Sequence, residues 1–300
     1  MAERPIKERM DIRMKLATII LEGKEAAGII DGEFFYALED VREYAEGLPD
    51  DLNKLIEHSA KWLSVLGEID FSALEGTAVE TLEFAPPIKP NKNIFCIGKN
   101  YAAHAHEFDG TPPENMIVFT KAPTAVIGHE QPIPLHEGVT NELDYEGELA
   151  VIIGKKGKGI SREEADEYIF GYTILNDITA RDLQARHQQF FLGKSLDGTC
   201  PIGPWIVTKD EAGNADDLEI ETKVNGEVRQ HARTSLFLFP IDEIIATLSK
   251  GMTLEPGDII ATGTPAGVGK GFKPPRYLKN GDVIEIYVES IGTLVNKVQQ

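Results

Sequence analysis

The chain has 300 residues, 42% of them hydrophobic and 26% charged, with a formal net charge of −19. This is the make-up of a globular protein long enough to bury a large core, with room for one large domain and a smaller one. An acidic field of that size repels polyanions, which argues against nucleic acid or an anionic membrane as partner; an acidic substrate would need positive charge inside its own site.

The N-terminal stretch MAERPIKERM is charged and lacks an apolar core, so it does not read as a secretion signal. No apolar run approaches the roughly 20 residues that cross a bilayer. Cys96 and Cys200 stand in no zinc or redox spacing and read as reduced, buried thiols. A cytoplasmic protein is expected.

Lys15–Asp40 alternates apolar and polar residues, with breaks at Gly23 and Asp31-Gly32, which predicts short antiparallel strands joined by tight turns. Asp50–Val65 carries Leu52, Leu55, Ile56, Trp62, Leu63 and Val65 close to helical spacing. Residues 1–88 are expected to form a small N-terminal α/β domain, which ends at the proline-rich connector Phe84–Asn93, and residues 89–300 a second, larger domain. In it, Asn93–Ile97 reads as a strand, Tyr101–Phe108 as one or two helical turns and Asp109–Asn115 as a loop. Ser161 and Glu164 make a capping-box pattern that predicts a helix over Arg162–Tyr168. Phe170–Asn176 reads as a strand delivering Asp177, Asn225-Gly226 as a hairpin turn, and Pro240–Lys250 as a helix stopped by Gly251. Asp258–Thr262 and Asp282–Val288 read as strands. Many strands and few helices predict an α+β fold rather than a doubly wound one.

The segment DYEGELAVIIG, Asp144–Gly154, carries the clearest chemistry. Glu146 and Glu148 are two apart in a strand, so they share a face beside the apolar run Leu149–Ile153. Two like charges there repel and lose hydration, and a hard divalent cation removes both penalties. The plainer alternative is an exposed strand edge with two solvated acids. Asp177 would complete a set of three carboxylates, leaving roughly half of an octahedral shell open. It also reads as a helix N-cap, because ITARDLQARH is helix-compatible.

His104 and Glu107 are three apart in GKNYAAHAHEF, so on a helical turn Glu107 could set the tautomer of His104 and raise its basicity. A solvated helix with two histidines is the alternative. Neighbouring glycine and proline suit this segment to a lid. Lys194, in an apolar and small-residue setting, should face a negative partner. Arg181 offers a fork for a carboxylate, and Gln184 lies one turn on. Each could instead serve a structural salt bridge. The glycine-rich ATGTPAGVGKG, Ala261–Gly271, fails a phosphate-loop pattern at Thr264 and Gly271. It reads as a wall where Thr262 or Thr264 offers a hydroxyl, and the backbone its amides, to a substrate carboxylate.

In this order, GKNYAAHAHE, DYEGELAVIIG, NDITARDLQ, GKSLDG and GDIIATGTPAGVG resemble the fumarylacetoacetate hydrolase family over about Pro90–Thr293. The resemblance implies a mixed β-roll core with flanking helices, usually in a homodimer. It implies that Glu146, Glu148 and Asp177 bind Mg²⁺ or Mn²⁺, with Ca²⁺ also admissible. It implies a catalytic His104–Glu107 dyad on a lid, with Lys194 beside it, and Arg181, Gln184 and Thr264 as contacts of a small 2-oxo-carboxylate. HQQFFLGKSLDGTCPIGP and the C-terminal glycine-rich stretch are similar to the YisK-type oxaloacetate decarboxylase branch. That similarity implies decarboxylation of oxaloacetate to pyruvate through a cation-stabilised enolate. Hydrolysis of an acylpyruvate or fumarylpyruvate, isomerisation of a 2-hydroxydienedioate, and a metal-binding scaffold without activity are the alternatives.

Overall fold

A computed structural model describes residues 13–107 and 110–300. The charged N-terminal decapeptide and the junction of the expected 101–108 turn with its following loop therefore lie outside the described residues. In chain order the main strands are β1 (Lys15–Leu21), β2 (Lys24–Asp31), β3 (Phe34–Ala37), β4 (Ile94–Gly98), β5 (Ile117–Lys121), β6 (Gly147–Ile153) and β7 (Ile169–Asn176). They continue with β8 (Cys200–Thr208), β9 (Glu219–Val224), β10 (Glu227–Arg233), β11 (Ile259–Ala261), β12 (Val283–Val288) and β13 (Gly292–Gln299). The helices used below are α1 (Leu52–Glu57), α2 (Ser59–Leu66), α3 (Ala102–Glu107), α4 (Arg181–Arg186), α5 (Phe191–Lys194) and α6 (Ile241–Ser249).

One large sheet runs in the order β3-β2-β1-β8-β7-β6-β11-β4-β5, and a second runs β10-β9-β12-β13. Neighbours in the large sheet are antiparallel except β11 and β4. The fold is α+β, as the strand-rich pattern predicts.

Strand β6 shows why its sequence is apolar throughout. Leu149, Val151 and Ile153 pack with Ile220, Ile284, Ile286 and Leu294 of the second sheet. Ala150 and Ile152 face the other way, in a core with Leu52, Leu55, Ile56 and Trp62 of α1 and α2. A strand covered on both faces has no solvated face on which to place polar residues. The N-terminal block contributes to both structures: β1 pairs with β8 through Lys15–Val207 and Leu16–Ile206, and Met14 and Leu16 join the core beneath α1 and α2. Residues before and after position 88 thus share one sheet and one core.

Three local expectations are corrected. The helix expected over Asp50–Val65 is two helices, interrupted at His58, whose φ of −122° and ψ of 33° leave the helical region. The capping box at Ser161 and Glu164 forms reciprocally, at 3.2 and 3.3 Å, but it opens turns and a short 3₁₀ segment, Ala165–Tyr168, instead of an α-helix. Asp177 caps no helix: α4 starts at Arg181 with Ala180 at its cap, after Thr179–Ala180 pairs with Leu143–Asp144. The Asn225-Gly226 turn joins β9 to β10 as expected, both residues having positive φ, and the expected helix over 240–250 is α6.

Gly147, between the two glutamates, packs tightly against the second sheet. A Cβ there would run into the hydroxyl of Thr222 and lie 3.1 Å from Ile286. Gly147→Ala is therefore expected to destabilise the fold by about 1–3 kcal/mol, as overpacking does. A thermal melt matching the unsubstituted protein would contradict this.

Candidate functional site

Strand register assembles the three acids. β6 and β7 pair as Gly147–Asn176 and Glu148–Leu175. The ladder continues one step further, where the Asp177 amide donates to the Glu146 carbonyl at 2.8 Å. Glu146 thus stands opposite Asp177, and Glu148 lies two residues along on the same face. All three carboxylates are buried, and each offers an oxygen within 4.8 Å of the others.

Bringing three buried anions together requires cations. Lys194, at the end of α5, donates to Glu146 Oε2 and Asp177 Oδ2, both at 2.6 Å. Arg181 Nη1 pairs with Glu146 Oε1 at 2.7 Å, and Lys121, the last residue of β5, lies 2.8 Å from Asp177 Oδ1. Burial alone would raise the Glu146 carboxyl, but Lys194 and Arg181 outweigh it and pull it down to about 2. Glu148 takes its hydrogen bond from the Gly263 amide, at 2.8 Å. Burial, reinforced by the charges of Asp177 and Glu146, pushes its carboxyl well above the usual range. This donor set fits a hard divalent cation. It is all oxygen, it is desolvated, and its one strongly raised acid is the one that a second positive centre would return to the charged form.

The dyad expected on α3 is formed, with His104 Nδ1 at 3.0 Å from Glu107 Oε2. His106 is exposed on the other side of the helix. Seven of the nine expected site residues line one cavity of about 250 Å³, which Lys99 and Lys270 also line. Glu107 and Asp177 stand behind it, bonded to His104 and Lys194.

The structure revises the glycine-rich segment. Its amides bind the protein's own acids: Gly263 to Glu148, Gly267 to Glu107 Oε1 at 2.9 Å, and Gly269 and Lys270 to Asp144 at 2.6 and 3.0 Å. The hydroxyls of Thr262 and Thr264 donate to the carbonyls of Leu149 and Gly147, at 2.8 and 2.9 Å. Thr264 also accepts from Gln230, so it borders the cavity with its proton already committed. Arg181 likewise spends Nε on Asp144 and Nη1 on Glu146, with Gln184 Oε1 3.3 Å from Nη1. The fork expected to bind a substrate carboxylate is engaged first with the protein's own acids. The neighbouring Asp182 accepts from Thr140 at 2.6 Å.

Asp144 and Lys121 are buried charged residues of the site that the sequence analysis did not single out. Asp144 carried a signal, since Asp144, Glu146 and Glu148 alternate in one segment. Lys121 carried a weaker one, as the charged end of an apolar run.

The model of the fumarylacetoacetate hydrolase C-terminal domain matches residues 93–299. The oxaloacetate tautomerase YisK of Bacillus subtilis is 49% identical over 301 residues, covering 95% of this chain and 100% of the relative. A solved fumarylacetoacetate hydrolase from Exiguobacterium antarcticum is 43% identical, with a TM-score of 0.85 over 95% of this chain and 99% of that one. A 2-hydroxyhepta-2,4-diene-1,7-dioate isomerase from Mycobacterium marinum is 35% identical, with a TM-score of 0.73 over 95% and 98%. With a family match across most of its length and such likeness over 95% of its residues, the chain belongs to the fumarylacetoacetate hydrolase family and is an enzyme.

Proposed function

We propose that this enzyme interconverts the keto and enol forms of oxaloacetate at a divalent-cation centre, with loss of CO₂ to pyruvate as the competing fate of the same bound acid. The observation that carries the reading is the His104–Glu107 dyad, closed at 3.0 Å, whose His104 lines the same cavity as Glu146 and Glu148. Decarboxylation needs no base at C3, whereas tautomerisation does. The resemblance to the decarboxylase branch favours the first reaction. A relative named oxaloacetate tautomerase, 49% identical, favours the second, and the complete dyad sides with it.

Glu146, Glu148 and Asp177 would hold the cation, Mg²⁺ or Mn²⁺, with Ca²⁺ also suited to an all-oxygen set. When bound, it supplies Lewis-acid polarisation of the substrate's 2-oxo group. The protein does the rest. His104, with Nδ1 tied to Glu107, takes the C3 proton on Nε2 and returns it to the 2-oxo oxygen. One C–H bond breaks, one O–H bond forms, and Glu107 offsets the imidazolium charge meanwhile. Lys194 and Arg181 keep Glu146 ionised, while Gln184 and the Thr264 wall bound the substrate.

Charge supports a small dicarboxylate. Around the site Glu107, Asp144, Glu146, Glu148 and Asp177 stand against Lys121, Arg181 and Lys194, a formal −2 that a dication would cancel. Lys99 and Lys270 on the cavity wall add further positive charge, in a chain of net −19. We propose a homodimer, as the family resemblance implies, and a cytoplasmic location, which suits two free, buried cysteines.

Glu148→Gln should abolish Mn²⁺ binding and turnover, and calorimetry showing near-normal Mn²⁺ affinity would defeat the cation reading. His104→Ala should slow tautomerisation by roughly two to four orders of magnitude and pyruvate release much less. Equal losses in both reactions would assign His104 to positioning. An enzyme that cleaves acetylpyruvate and leaves oxaloacetate untouched would replace the proposal with the hydrolase reading.

A further inference from the structure

Asp144 is fully buried and accepts four hydrogen bonds while standing outside the cavity wall. Its Oδ1 receives the amides of Tyr145 at 3.0 Å and Gly269 at 2.6 Å. Its Oδ2 receives Arg181 Nε at 2.8 Å and the Lys270 amide at 3.0 Å. Three of these donors belong to two different parts of the site. Arg181 extends its other arm to Glu146 Oε1 at 2.7 Å. Gly269 and Lys270 belong to the turn whose Gly267 amide holds Glu107. At Gly271 of the same turn, a Cβ would occupy the space of the Glu107 carboxylate.

We propose that Asp144 is a positioning residue for both halves of the site. Through Arg181 it fixes the carboxylate of Glu146, and through the 267–271 turn it seats Glu107 against His104. A guanidinium anchored at Nε presents Nη1 in one direction, whereas an unanchored one rotates and carries its partner with it. An aspartate also accepts from every donor aimed at it, and no neutral side chain of the same shape does. The proposal rests on the reading of Glu146 as a cation ligand.

The test is Mn²⁺ binding by calorimetry on the full chain, for Asp144→Asn, Arg181→Lys and the double variant, each first shown to be folded by its thermal melt. An asparagine amide turned toward the Arg181 and backbone donors breaks the network without changing its shape. A lysine cannot span Asp144 and Glu146. Each single variant should weaken Mn²⁺ binding by about 10–100-fold, the usual effect of losing a group that orients a ligand. The double variant should be no worse than the weaker single, because both changes cut the same bridge. A loss of charge acting at a distance predicts instead that the two effects multiply, and that result overturns the proposal. So does a folded Asp144→Asn protein that binds Mn²⁺ like the unsubstituted chain. Should Asp144→Asn not fold, Arg181→Lys tests the same bridge, and unchanged Mn²⁺ affinity in it is equally fatal. If the unsubstituted protein binds no Mn²⁺, the cation reading itself fails, and the two failures are thereby told apart.

Discussion

Three carboxylates held within 4.8 Å of one another and away from water repel strongly, and much of this molecule answers that repulsion. Lys194 bridges two of them, Arg181 and Lys121 each take one, and the Gly263 amide takes the third. Each compensating group is itself buried, so each depends on the acids as much as they depend on it. The elements that deliver these groups (the end of β5, the start of α4, the end of α5 and the glycine-rich turn) are positioned by charge as well as by apolar packing. Glu148 is the member whose charge the protein compensates least, and its raised carboxyl is where a bound dication would act most strongly.

The same logic explains the glycine-rich segment. A substrate-binding loop usually leaves its amides for the ligand, but here they hold Glu148, Glu107 and Asp144. The segment therefore works as a clasp between the acidic triad on the sheet and the dyad on α3. Its glycines let the backbone approach those carboxylates closely, most clearly at Gly271, where a side chain would displace Glu107. The acidic triad and the His104–Glu107 pair are thus parts of one network of hydrogen bonds.

Much of the site was legible because its chemistry sits in short segments with a definite period. Two-residue spacing put Glu146 and Glu148 on one face, and three-residue spacing put His104 and Glu107 on one turn; both relations need only local backbone geometry. Commitments made over long sequence distances were not legible. The Thr264 hydroxyl goes to Gly147, 117 residues away, and the Arg181 fork goes to Asp144, 37 residues away. Composition around Thr264 and Arg181 showed groups able to bind a carboxylate, but not whose carboxylate it would be. The helix expected after the capping box failed for a related reason. Ser161 and Glu164 satisfy each other locally, while the chain beyond them must turn to reach β7.

By itself the amino-acid order determined which residues carry charge in apolar surroundings, which of them share a face, and which family's motifs they form. These follow from period and composition, properties of a few consecutive residues. Only the tertiary structure decided that Asp177 stands opposite Glu146, that Lys194 sits between them, and that Asp144 ties Arg181 to the glycine-rich turn. Those relations depend on pairing register and on packing between elements far apart in the chain. A shift of one residue in the β6–β7 ladder would leave every local pattern intact and turn the acids away from one another.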